Sequence, residues 1–412
     1  MVTNKNQKIQ EYAELLVKVG LNVQKGQAVC IRTPVECADF ARLCAEEAYK
    51  AGCKDIVTVW SDDVLSRLRY TYADDSVFDS FPQWETEKFN YIADNKAAVL
   101  NIYAADPEAL CGIDSDKISR SSKARGNALK KFYAAQMSNE FQWCIGSIPI
   151  PSWSTKVFPK LSANDADDAL WEAIFKTVRI TGDGNSVRLW REHIVNNAKL
   201  CDKLNAYNFR FLEYKNSIGT DFICELPEEH MWLGGAETTK DGINFVANMP
   251  TEEIFTAPKK NGVNGSIVAS KPLCIDGVIV GGIKFTVQNG KIIHAVADSG
   301  NETLQKAIRI DEGASYFGEI ALVPFDSPIS DMNLLFYNTL FDENASCHMA
   351  FGEAYPCIKN GSSMTREELD EKGLNYSITH EDFMIGTRDL SIIGTEQNGN
   401  KVQIFKDGNF AI

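Results

Sequence analysis

The segment TLFDENASCHMAFGEAYP, residues 339–356, sets two carboxylates (Glu343 and Glu353), an imidazole (His348) and a phenol (Tyr355) within thirteen residues. The whole chain has only five histidines. A histidine placed among acids in a Gly- and Ala-rich stretch is therefore a candidate metal ligand. Three further segments of the second half also carry acids beside Gly, Pro or aromatic residues: NMPTEEIFTAP (248–258), YFGEIALVP (316–324) and NYSITHEDFMIG (375–386). Each is apolar enough to be buried, and none contains Lys or Arg. Burying a carboxylate is costly unless a counter-charge or a metal meets it, so a cation is expected where these segments converge.

Local geometry sharpens the expectation. His380 and Asp382 are two apart, so in an extended strand both project from one face and Glu381 from the other. Glu252 and Glu253 point to opposite sides of TEE, and only one of them can enter a given site. Glu319 follows Gly318, which allows close backbone approach, and the small Ala345-Ser346 pair between Glu343 and His348 allows a tight turn. Taken singly, each segment also reads as a solvated turn or a hydrogen-bonded core histidine; the four together favour a metal. His193, on a polar helix, His230, in a loop, and His294, in a strand, read as structural or surface residues. Cys347 beside His348 raises a Cys–His nucleophilic pair, but sequence neighbours usually project in different directions.

These groups need elements to hold them. Residues 6–20 carry apolar positions at helical spacing, AVCIRTP (28–34) reads as a strand, CADFARLCAEEAYKAG as a helix stopped at Gly52, and DIVTVW (55–60) as a second strand. Strand, helix, strand implies a right-handed parallel crossover. AVLNIYA (98–104), a helical region over 117–136 and FQWCIG (141–146) extend the pattern into an α/β domain with a mostly parallel sheet. No GxGxxG or GxxxxGK[ST] follows any of these strands, which argues against a nucleotide site. A polar-faced helix over roughly 186–205 leads to a region of period two, where Asn289-Gly290 marks a hairpin turn. The expected division is an α/β N-terminal domain, 1–207, and an α+β, β-rich metal-binding C-terminal domain, 208–412.

At 412 residues, the chain exceeds what one core usually serves. A net charge of −14 and a pI near 5.0, with no basic run, argue against nucleic acid as a partner. The N-terminal stretch lacks the apolar core of a secretory signal, and no apolar run approaches the length of a membrane span. Eleven scattered cysteines without a CxxC pair read as reduced, core-filling thiols. A soluble cytoplasmic protein is expected.

The four segments, in this order and spacing, resemble those of the M29 family of thermophilic-type metallo-aminopeptidases. The resemblance extends to YAELLVKVGLNVQKGQ and HMWLGGAETTKDGINFVANMPTEE, and so covers nearly the whole chain. It implies a homodimer of two-domain subunits, each with two divalent metal ions in the C-terminal domain. The ligands implied are Glu253, Glu319, Glu343, His348, His380 and Asp382. Glu319 would bridge the ions, Glu253 and Asp382 would complete one, and Glu343, His348 and His380 the other. Tyr355 matches the family's active-site tyrosine, and Glu319 and Tyr355 are the expected catalytic residues. Such a donor set suits zinc, cobalt or manganese. Two such ions generate a nucleophile from a bridging water and polarise a carbonyl, which fits removal of the N-terminal residue from a peptide with a free N-terminus. The competing readings are a two-metal phosphoesterase, whose usual phosphate-binding Arg or Lys is missing from the motifs, and a non-catalytic metal-binding scaffold. Glu252 is left between a supporting role and contact with the substrate ammonium.

Overall fold

The computed structural model describes residues 2–275 and 278–412. The chain divides into two compact units. One comprises the residues up to Glu192 together with Ala236–Pro250, and the other comprises His193–Gly235 and Thr251–Ile412. The division therefore falls inside the helix Ser186–Tyr207 rather than after residue 207, and a short segment of the second half belongs to the first unit.

The first unit is built on a four-stranded sheet. Its order is Asp55–Ser61, Ala28–Pro34, Ala98–Ile102, Trp143–Gly146, and every pairing is parallel. The second and third of these are nearly continuous apolar runs because helices cover both faces. The expected helix before Gly52 spans Ala38–Lys50, and Gly52 takes φ +93°, a left-handed conformation that ends it. The helical region expected over 117–136 is two helices, Ser115–Ala128 and Lys130–Met137. The returning segment joins the sheet's end: Ile145 N–H donates to the Ala247 carbonyl (2.7 Å), and Met249 N–H donates to the Ile145 carbonyl (2.9 Å). These bonds explain why Ala236–Pro250 groups with the first unit.

The second unit is β-rich. An eight-stranded sheet runs through Phe209–Lys215, Asp221–Glu225, Val263–Val268, Lys284–Gln288 and Lys291–Val296 on one side and the three C-terminal strands on the other. Asn289 and Gly290 both have positive φ (50° and 78°) in the turn that joins Lys284–Gln288 to Lys291–Val296, as a type I′ hairpin requires. A second, five-stranded sheet has the order His380–Met384, His348–Gly352, Phe317–Leu322, Ile254–Thr256, Leu233–Gly234. Phe317, Phe351 and Phe383 on its inner face surround Phe285 of the larger sheet, with ring centroids 5.1–6.3 Å apart. That aromatic cluster anchors three adjacent strands, and the functional side chains project from the other face.

Candidate metal centre

Strand register assembles the donors. Glu319 lies opposite Ala350, and Ala350 opposite Asp382, so one row across three strands reads carboxylate, methyl, carboxylate. His348 is two residues from Ala350, and His380 two from Asp382, which keeps all four functional groups on one face. Ala350 is small enough to leave the space between them open. Glu253 immediately precedes Ile254–Thr256, which pairs with the other side of Phe317–Leu322.

One irregularity makes this possible. Phe317, Ile320 and Leu322 all belong to the buried core, a spacing that an unbroken period of two cannot give. The register shifts between Phe317 and Glu319, and this bulge at Gly318 turns Glu319 to the donor face. A Cβ at Gly318 would lie 1.9 Å from the Glu353 carbonyl oxygen, so only glycine fits.

The donors form two triads that share Glu319: Glu253, Glu319 and His348, and Glu319, His380 and Asp382. His348 Nε2 lies 3.1 Å from Glu253 Oε2 and 3.5 Å from Glu319 Oε1. His380 Nε2 lies 3.5 Å from Glu319 Oε2 and 3.5 Å from Asp382 Oδ1. Glu319 thus turns one oxygen to each imidazole. By side-chain proximity Glu253 falls with His348 and Asp382 with His380, whereas the resemblance implies Glu253 with Asp382 and Glu343 with the two histidines. Register explains the difference. His348 lies opposite Ala321 and Ile254 opposite Leu322, at one end of the row, whereas His380 lies opposite Gly352 at the other.

Both imidazoles are oriented by their far nitrogens. His348 Nδ1–H donates to the Ser346 carbonyl (3.2 Å) and His380 Nδ1–H to the Glu353 carbonyl (2.8 Å), leaving each Nε2 toward the carboxylates. Burial disfavours the charged His348, but Glu253 and then Glu319 outweigh burial and shift it well upward. Burial likewise opposes ionisation of Glu319, yet the two imidazoles hold it below the usual carboxylate range. Glu253 is raised, chiefly by burial. The positive charge these acids demand at Nε2 is the charge a bound cation supplies. Asp382 Oδ1 is buried and accepts no hydrogen bond among the described residues. No Lys or Arg approaches within 4 Å of Glu253, Glu319 or Asp382 among those residues. The donor set fits divalent metal.

Glu343 belongs to neither triad but interacts with the charges of both. It lies on the turn Glu343–Ala345, and burial, then the charges of Glu253 and Asp382, raise its carboxyl well above the usual range. The Tyr355 ring packs edge-on against His380, with centroids 5.1 Å apart and planes at 64°, and against Phe255 at 6.0 Å. Burial, reinforced by Glu319 and Asp382, keeps its phenol protonated. Glu353, the remaining acid of the opening segment, does have a cationic partner: Arg366 Nη1 donates to it at 3.1 Å. Cys347 is no nucleophile. Its buried thiol donates to the Val323 carbonyl, and burial pushes it up to about 12.

Two supporting residues escape the motif reading. Asn344 is fully buried; its Oδ1 accepts from Glu252 N–H (2.7 Å) and its Nδ2 donates to the Leu340 carbonyl (3.1 Å), tying the Glu253 segment to the His348 segment. His193 Nε2–H donates to the Thr251 carbonyl (2.8 Å) and lies 3.7 Å from Glu252 Oε2. Glu252 thus faces His193 while Glu253 faces His348, the opposite projection expected of TEE. An Asn beside a candidate ligand is the only sequence signal for the first, and none marks the second. His230 is buried and hydrogen-bonded to the Pro227 carbonyl, and His294 lies in the strand Lys291–Val296.

The family model described as thermophilic metalloprotease (M29) matches residues 5–410. The chain is similar to aminopeptidase AmpS of Bacillus subtilis, at 42% identity over 98% of this chain and 99% of the relative. It is similar to aminopeptidase 2 of Geobacillus stearothermophilus at 41% identity, over 98% and 97%. The solved structure of wild-type AmpT from Thermus thermophilus superposes with a TM-score of 0.92 at 36% identity, covering 99% of this chain and 100% of that one. The match runs from end to end through every segment that supplies a donor, and the chain belongs to the thermophilic metalloprotease family M29.

Proposed function

We propose that the chain is a dinuclear-metal aminopeptidase that removes the N-terminal residue from peptides. The observation that carries this reading is the position of Glu319, with one carboxylate oxygen 3.5 Å from each imidazole and membership of both triads. Glu253, His348 and Glu319 would hold one divalent ion and Glu319, His380 and Asp382 the other, with Glu343 as a further donor; zinc, cobalt and manganese all suit the set. When bound, two such ions supply a nucleophilic bridging water at neutral pH and polarise the scissile carbonyl. The protein's own groups do the rest. The Glu353 and Ser346 carbonyls fix the imidazoles, and the protonated Tyr355 phenol donates to the oxygen that gains charge in the transition state. The excess of carboxylates attracts the ammonium of a free N-terminus. The lack of Arg or Lys at the donors disfavours a phosphoester substrate.

Homodimerisation and a cytoplasmic location complete the proposal. The family resemblance supports both, and the location is supported also by the cysteines, ten of the eleven shielded from full exposure. Among the described residues, no helix is long and apolar enough to cross a membrane. The test compares a free peptide with its Nα-acetylated form. The free peptide should lose residues one at a time from its N-terminus while the acetylated one stays intact; internal cleavage of the acetylated peptide, seen by mass spectrometry, would overturn the reading.

A further inference from the structure

Glu353 joins the metal centre to a cation that is only partly used. Its carbonyl accepts from His380 Nδ1–H at 2.8 Å, and its N–H donates to the Thr379 carbonyl at 2.7 Å. Its carboxylate accepts from Ser377 N–H (2.7 Å) and from Arg366 Nη1 (3.1 Å). The Arg366 guanidinium therefore stands one glutamate and two hydrogen bonds away from a candidate metal ligand. Met364, two residues before it, packs with Tyr355 against one buried cluster, which ties the Arg366 segment to the Tyr355 segment.

Two sides of this guanidinium are occupied and one edge is left over. Nη1 is spent on Glu353, and one face lies on the Tyr376 ring, 4.6 Å from its centroid. Nε and Nη2, whose N–H groups point the same way, are both buried and make no hydrogen bond among the described residues. A ring stacked on the face supplies no acceptor in the plane of the fork. Leaving two donors of a charged group buried and unpaired is costly, so an acceptor is expected at this edge. The parallel N–H pair selects an acceptor with two oxygens, a carboxylate. The Tyr376 ring that covers the guanidinium is itself exposed, and exposed side chains change rotamer readily, which gives a ligand access.

We propose that the Nε–Nη2 fork of Arg366 receives the C-terminal carboxylate of a short peptide, making Arg366 a specificity-determining residue that favours dipeptides and tripeptides. This rests on the aminopeptidase reading. A short peptide carries opposite charges at its two ends. The carboxylates of the metal centre suit the ammonium, and Arg366 suits the other end. A dipeptide or tripeptide spans at most roughly 7–11 Å, a length comparable with one glutamate and two hydrogen bonds. In a longer peptide the carboxylate lies beyond the fork, and the pair is not made.

Steady-state hydrolysis of Leu-Gly and Leu-Gly-Gly by the full-length, metal-loaded protein, compared with that of their C-terminal amides, tests it. The wild type should favour at least one free acid over its amide by about tenfold or more in kcat/KM, as a charge-assisted pair provides. Arg366→Met should bring that ratio close to unity. Any loosening of His380 slows acid and amide alike and cancels in the ratio. If Arg366→Met does not fold, Arg366→Lys keeps a charge opposite Glu353 but removes the fork, and the ratio should fall several-fold. Equal hydrolysis of acid and amide by the wild type, or a preference that survives both substitutions, would overturn the proposal and leave the peptidase reading intact. Hydrolysis of neither form would overturn both.

Discussion

The carbonyl oxygen of Glu353 accepts a hydrogen bond from His380 Nδ1–H at 2.8 Å. The same oxygen occupies the space a side chain at Gly318 would need, 1.9 Å from the position of its Cβ. One backbone atom thus orients a candidate ligand and enforces glycine at the bulge that presents Glu319. Gly318→Ala should displace that oxygen, loosening His380 and turning Glu319 together. We expect loss of metal from both triads and turnover slowed roughly a hundredfold, since misplacement by an ångström has this effect at a reacting centre. Metal analysis of the folded variant checks it; full metal content would show that the bulge tolerates a methyl group.

The grouping of donors predicts a pattern of metal loss. Glu253→Gln should weaken one ion and Asp382→Asn the other, while Glu319→Gln should weaken both. Equilibrium dialysis followed by elemental analysis counts the ions in each variant. Chelation of the wild type should abolish hydrolysis, and zinc, cobalt or manganese should restore it. Two ions retained in Glu319→Gln would exclude a bridging role.

Much of this site is legible in the sequence because strand alternation is a local property. His380 and Asp382 must share a face once THEDFMIG is extended, and Glu252 and Glu253 must oppose each other. The parallel sheet and the Asn289-Gly290 hairpin follow equally from local periodicity and turn chemistry. Pairing the donors into triads depends on register between strands distant in the sequence, and the bulge at Gly318 shifts that register by one residue. A dipeptide cannot reveal the bulge, because its cause is the Glu353 carbonyl of a strand neighbour more than thirty residues away. The return of Ala236–Pro250 to the first unit is hidden for the same reason: it rests on backbone bonds to Ile145.

Asn344 separates support from ligation. Its amide satisfies the buried N–H of Glu252 and ties down the Leu340 carbonyl. Asn344→Ala would leave that N–H without a partner, at a cost of about 1–3 kcal/mol. The expected result is a lower denaturation midpoint together with weaker metal binding, because Glu253 is the next residue along. If denaturant titration shows the stability loss while metal affinity stays at the wild-type value, Asn344 supports the fold alone.

Tyr355 is where packing and chemistry make opposite predictions. Its ring contacts His380 and Phe255, and a purely packing role needs only the ring. On that account Tyr355→Phe is nearly silent. The phenol, however, lies in the field of four carboxylates and is held protonated, so its O–H stays available as a donor, and the partner that gains most from a donor is an oxygen acquiring negative charge. Removing one such donor typically slows turnover by a factor of about 10²–10³. Both ions should remain, because carboxylates and imidazoles supply the donors while the phenol stays protonated. KM should change little, since the interaction strengthens only as charge develops. Steady-state kinetics paired with metal analysis distinguishes the cases. Unchanged turnover with both ions bound would confine Tyr355 to packing, whereas loss of one ion would place its oxygen among the ligands.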